Sequence, residues 1–104
     1  MMFARSMLAL AAGALLSGTA MADGAKLYVE KTCLACHGKD AKTPLLPVYP
    51  RLAGQSAAYA EKQMLDIKSG ARSNGNSAAM KGVMGLVSAA EIKEISVYLS
   101  TLKP

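Results

Sequence analysis

The sequence is short of large apolar side chains: its 104 residues include no tryptophan, one phenylalanine and four tyrosines. Phe3 falls near the start, so everything beyond position 22 must build its core with Tyr28, Tyr49, Tyr59 and Tyr98 as the only aromatics. A domain of this size buries only about 60% of its unfolded surface and often relies on a disulfide, a metal or a cofactor. Histidine is scarcer still, occurring once, at His37, and cysteine occurs twice. One histidine claimed by a cysteine cluster leaves no base for a Ser/His/Asp set, and phosphate-binding glycine loops and paired catalytic carboxylates are missing as sequence signals. Hydrolysis therefore has no apparatus. No internal repeat, low-complexity tract or second domain is visible, and no convincing strand pattern is present. The formal charge of +5 is modest and unclustered, which disfavours nucleic-acid binding.

The amino terminus differs in character from the rest. Arg5 is a short basic region, and Met7 to Ala20 form an apolar run without a charge. That run is too short to span a bilayer comfortably, since a spanning helix needs roughly 20 apolar residues. Ala20-Met21-Ala22 supplies small residues at both positions of an A-x-A cleavage site, and Asp23 follows at once. Residues 1–22 are read as a removed secretory signal, with an uncleaved membrane anchor as the alternative; residues 23–104 are read as one domain. Removing the first 22 of 104 residues leaves 82, with eleven basic against seven acidic side chains and a formal charge of +4. Export to the periplasm is expected, with no membrane span after cleavage.

What the chain does have is CLACH, Cys33 to His37, which contains every cysteine and histidine. A disulfide between Cys33 and Cys36 would close a tiny loop and stabilise little, because the benefit grows with loop length. A thioredoxin-like redox pair belongs at a helix start in a strand-containing fold, and no strands are evident. Structural zinc wants four ligands where only three exist. C-x-x-C-H is also the attachment site of a c-type haem. Two intervening residues set both sulfurs on one helical turn, where each can form a thioether to one vinyl group, and His37 then projects its imidazole at the iron. The porphyrin would supply the apolar body that the composition lacks.

Along the chain, Ala25 to Lys31 reads as a short helix leading into the motif. TPLLPVYP, Thr43 to Pro50, carries three prolines and should be an extended loop over something apolar. Ser56 is a candidate N-cap for a helix through about Ser69, with Ala60, Met64 and Ile67 at helical spacing and Gly70 as the stop. Ala71 to Ala79 is polar and glycine-containing, hence a loop. Ser88-Ala89-Ala90-Glu91 is a capping box, and Ile92, Ile95, Leu99 and Leu102 continue on one stripe. The fold expected is all-α, short helices and loops wrapped around one covalent haem.

A haem iron bound by His37 has a second axial position, whose occupant decides between electron transfer and ligand chemistry. Met64 lies mid-helix on the apolar stripe and reads as core. Met80 and Met84 lie in SAAMKGVMG, expected as a loop before the final helix. Met80 leaves seven residues before Ser88, giving the chain room to pass a haem face, whereas Met84 leaves three.

CLACHG (33–38), YPRLAGQ (49–55), Tyr59, KQMLDIKSGARSN (62–74), the Met80 segment and EIKEISVYLSTL (91–102) together resemble the small bacterial class I cytochromes c. The likeness is to a monohaem unit like one half of the dihaem respiratory cytochromes, and it covers nearly all of residues 23–104. It implies covalent haem c on Cys33 and Cys36, with His37 and Met80 as axial ligands and Met84 as the fallback. It implies that a proline carbonyl after the motif orients His37, matched best by Pro44, with Pro47 as the alternative. Arg51 would contact a haem propionate, or else be an ordinary surface cation. Gly24 and Tyr28 of the first helix would cross against Tyr98 of the last. Lys39, Lys42, Lys62 and Lys81 would steer a redox partner with an acidic docking surface.

The function implied is a periplasmic one-electron carrier rather than an enzyme. The alternative is a haem subunit of a catalytic complex, with a flavoprotein sulfide dehydrogenase or an oxidase as partner. A ligand-binding or peroxidatic haem protein requires that methionine be absent from the iron.

Overall fold

The computed structural model describes residues 23–104; the expected leader lies outside the described residues. Among the described residues five helices carry the fold: α1 (residues 23–30), α2 (Cys33–His37), α3 (Ala57–Ser69), α4 (Ser77–Met84) and α5 (Ala89–Thr101). No strand occurs among the described residues.

The two long helices begin and end where local chemistry says they should. Ser56 accepts a hydrogen bond from the Tyr59 amide at 3.3 Å, and Gly70, at φ 89°, closes α3 in the left-handed region that costs a glycine little. At α5, Ser88 Oγ accepts from the Glu91 amide at 3.1 Å while the Ser88 amide donates to Glu91 Oε1 at 2.9 Å, completing the capping box. α3 packs on both α5 and α4. Met64 and Ile67 of α3 meet Ile92, Ile95 and Leu99 of α5 in the core, joined by Met84 and Val87. Each such aliphatic side chain contributes about 1.5–3 kcal/mol by leaving water.

α1 crosses α5 at Gly24, where an added Cβ would collide with the Glu94 carbonyl and lie 2.7 Å from Tyr98 Cβ. Only a residue without a side chain permits that approach. One turn on, the Tyr28 and Tyr98 rings pack with centroids 5.9 Å apart at 53°, so the crossing follows the resemblance. Burial raises the Tyr28 phenol's pKa well above its ordinary value and keeps it a donor; it donates to the Gly38 carbonyl at 2.5 Å.

One expectation fails. SAAMKGVM is helical rather than looped, and α4 takes in Ser77 to Ala79 from the segment read as polar loop. Gly82 sits inside it and Asn76 at its start makes no side-chain cap bond, so neither propensity nor capping announced a helix. The helix is held by tertiary contacts, with Met84 sunk into the core at 1% exposure and Ser77 at 7%.

Candidate functional site

α2 hangs between two turns. Thr32, at φ 63°, reverses the chain out of α1, and Gly38, at φ 90°, reverses it again after His37. A β-carbon at position 38 would strike the Thr43 carbonyl, so the close return of the following loop requires glycine there. Within this single helical turn Cys33 and Cys36 are half-buried free thiols. Burial pushes the Cys33 thiol up to about 11, which argues against an activated redox pair, since those depend on a lowered thiol pKa.

His37 is buried, at 6% exposure. Its Nδ1 lies 2.9 Å from the Pro50 carbonyl oxygen. A carbonyl only accepts, so Nδ1 carries the hydrogen and Nε2 keeps its lone pair. Burial lowers the imidazole pKa, with the Pro50 carbonyl partly opposing, so the neutral, ligating form prevails. Nε2 has no hydrogen-bond partner among the described residues. The Tyr49 ring packs 6.4 Å from the imidazole.

The orienting carbonyl therefore belongs to Pro50, not to Pro44 or Pro47. The reason lies in how the loop turns. The Leu45 amide donates to the Cys36 carbonyl at 2.9 Å, and in a trans peptide the Pro44 carbonyl points opposite to that amide, away from the motif. Farther on, the Leu52 and Ala53 amides both bond the Ala41 carbonyl, at 2.7 and 3.0 Å, which draws the chain back and sets Pro50 against His37.

Arg51, next to Pro50, is exposed and makes no hydrogen bond or ion pair among the described residues. Met80 is half-buried on α4 and packs against the core. Met84, one turn later, is wholly inside. Met64 is a core residue at 6% exposure. Lys39 and Lys81 are exposed and Lys42 is half-buried, whereas Lys62 is engaged with Asp66 at 3.1 Å one helical turn away. No helix among the described residues is long and apolar enough to cross a membrane.

These residues fit a covalent haem. Two thiols lie on one turn, the adjoining imidazole presents a free Nε2, and the following loop displays apolar surface, with Leu45 71%, Leu46 45% and Val48 64% exposed. Leucine and valine at such exposure on a segment bonded to the motif suit a large planar apolar group. Sequence reasoning missed Pro50, which stands in YPRLAGQ but competes with two nearer prolines.

Comparison with known proteins bears on the same residues. Residues 21–103 match the family model of cytochrome c. The chain is 41% identical over 70 residues to cytochrome c-554(548) of Halomonas halodenitrificans, covering 67% of this chain and 83% of that one. It is 39% identical over 87 residues to cytochrome c4 of Pseudomonas aeruginosa, covering 84% of this chain but 40% of the relative. A thiosulfate dehydrogenase electron acceptor of Stutzerimonas stutzeri is 45% identical over 60 residues, 51% of this chain and 28% of its own length. Reduced recombinant cytochrome c4 from Pseudomonas stutzeri superposes with a TM-score of 0.72 at 31% identity, over 83% of this chain and 50% of that one. Against the c4 proteins, the chain thus spans half the length or less.

Proposed function

The chain belongs to the cytochrome c family, with the class I fold and one covalently bound haem c, and from that premise we propose a periplasmic one-electron carrier with His37 and Met80 as axial ligands. The observation that carries the reading is the tautomer of His37, fixed by the Pro50 carbonyl with Nε2 left as the donor. Cys33 and Cys36 hold the group by thioethers, one turn of helix apart. The group supplies a one-electron ferric/ferrous couple.

Met80 is the better second ligand. It stands half-buried against the core, whereas Met84 is already enclosed by the core and could reach an iron only by emptying its pocket. With both axial positions filled by the protein, no site remains for substrate. A thioether is a soft, weak donor that favours the ferrous state, and burial acts in the same direction. Arg51 is placed beside Pro50 with its guanidinium free, which suits a propionate. Lys39, Lys42 and Lys81 suit an acidic redox partner; Lys62, engaged with Asp66, suits it less. The leader read in residues 1–22 supports the periplasm.

The test is the visible spectrum of the oxidised holoprotein. The weak red methionine-to-ferric band should survive Met84→Ala and vanish in Met80→Ala, and the reduced native protein should not take up carbon monoxide at neutral pH. A wild-type protein without that band, or one that binds carbon monoxide readily, would move the work to ligand binding or peroxidatic chemistry.

A second reading rests on the electron acceptor of a thiosulfate dehydrogenase among the relatives. It makes the chain a non-catalytic haem subunit of an oxidoreductase, with a flavoprotein sulfide dehydrogenase or an oxidase as further candidate partners. Co-purification with a catalytic chain that persists at high salt favours it over a free carrier, whose electrostatic encounters weaken with salt.

A further inference from the structure

α4, the helix that carries Met80, begins at the buried Ser77 and is tied to other helices by side-chain hydrogen bonds at its far end. At its start Asn76 gives no side-chain cap, and a helix of eight residues is marginal by itself. At its other end Lys68, reaching from α3, donates to the Met84 carbonyl at 2.9 Å and to the Val87 carbonyl at 2.6 Å. Lys31, at the end of α1, donates to the Leu86 carbonyl at 3.0 Å. Carbonyls at a helix C-terminus lack intrahelical partners and carry the negative end of the helix dipole, so a half-buried ammonium is well matched to them. Met80 sits one turn before Met84 on the same side of the helix, so tilting or sliding α4 moves the thioether and strains the Lys68 bonds together.

We propose that Lys68 is a positioning residue for the Met80 thioether: by tying the last turn of α4 and the chain after it to α3, it sets how readily Met80 leaves the iron. The proposal rests on His37/Met80 ligation. It makes α3, which supplies no ligand, the element that controls the lifetime of the sixth one.

The experiment mixes ferric holoprotein with imidazole at concentrations where uptake no longer depends on imidazole, so that the rate reports departure of the native ligand. Lys68→Met should accelerate it about tenfold or more, the scale expected for losing charge-assisted hydrogen bonds. Lys68→Arg, which keeps a cationic donor, should stay within about threefold of wild type on the same reasoning. Lys68→Gln serves the same reading should the methionine variant not accumulate. Ile95→Ala is the control for general loosening, since it weakens the core between α3 and α5 and leaves the α4 tie in place. The proposal is overturned if Lys68→Met opens at the wild-type rate, or if Ile95→Ala opens as fast. Persistence of the methionine band in Met80→Ala would instead overturn the ligand assignment and this inference with it, so the two failures are told apart.

Discussion

The α3/α5 half of the molecule and the half formed by α2, the 38–55 loop and α4 are built on different principles. In the first, both helices have hydrogen-bonded N-caps, and their aliphatic stripes meet in a closed core. In the second, non-glycine residues stand in the left-handed region at Thr32 and Ala41, α4 lacks a side-chain cap, and Leu45 and Val48 face outward. Each left-handed non-glycine residue costs on the order of 1 kcal/mol, a cost the surrounding structure must outweigh. The first half is specified by neighbours in sequence; the second takes its shape from bonds made across the fold.

The largest effect should come from removing the tether. In Cys33→Ala/Cys36→Ala the covalent haem is lost, and hydrogen exchange should show α2 and α4 losing protection well before α5. Equal loss in all three would erase the distinction between the halves. The next perturbation strikes the other side. Ile95→Ala opens a cavity between α3 and α5 and should cost about 2–5 kcal/mol in denaturant unfolding, with the methionine band of the folded protein unchanged. A band lost in step with that stability would couple the halves more tightly than their construction implies.

The smallest effect is electrostatic and confined to the start of α5. The Ser88 amide, its hydroxyl and nearby Lys31 hold the half-buried Glu91 carboxyl below its usual range. A depressed carboxyl contributes stability that is present above its ordinary value and is lost as pH falls through the depressed one. Glu91→Gln should therefore differ from wild type at neutral pH and converge with it in strong acid. Its stability curve, compared across that interval, checks the sign.

Legibility followed the same divide. Ser56, Gly70 and the Ser88/Glu91 pair announce α3 and α5 because a cap is a local transaction between residues three or four apart. The motif at Cys33 to His37 was equally plain, since thiol and imidazole spacing is itself the chemistry. α4 reads as loop in the sequence because its stabilisers are distant: Met84 is buried among residues of other helices, and Lys68 reaches it from 16 residues away. Pro44, with Pro47 as its alternative, is the expectation from the sequence, and Pro50 escapes it for a related reason. Counting residues after His37 gives the reach of the chain but not the direction in which each carbonyl points, and the Leu45 and Ala41 bonds decide that direction. The half that local rules specify is legible in sequence, and the other half is legible at its motif but not in the long-range bonds that support it.

The atom that orients His37 is a main-chain oxygen, and that places it beyond the reach of ordinary substitution. Replacing Pro50 changes a ring and leaves the carbonyl. Electron donation by the imidazole can therefore be retuned from this side only by re-routing backbone, through insertions, deletions or altered turns between Gly38 and Pro50. For the proposed ligation, the support of His37 on this side is therefore a matter of backbone path, which Gly38 and the buried Ala41 help to fix.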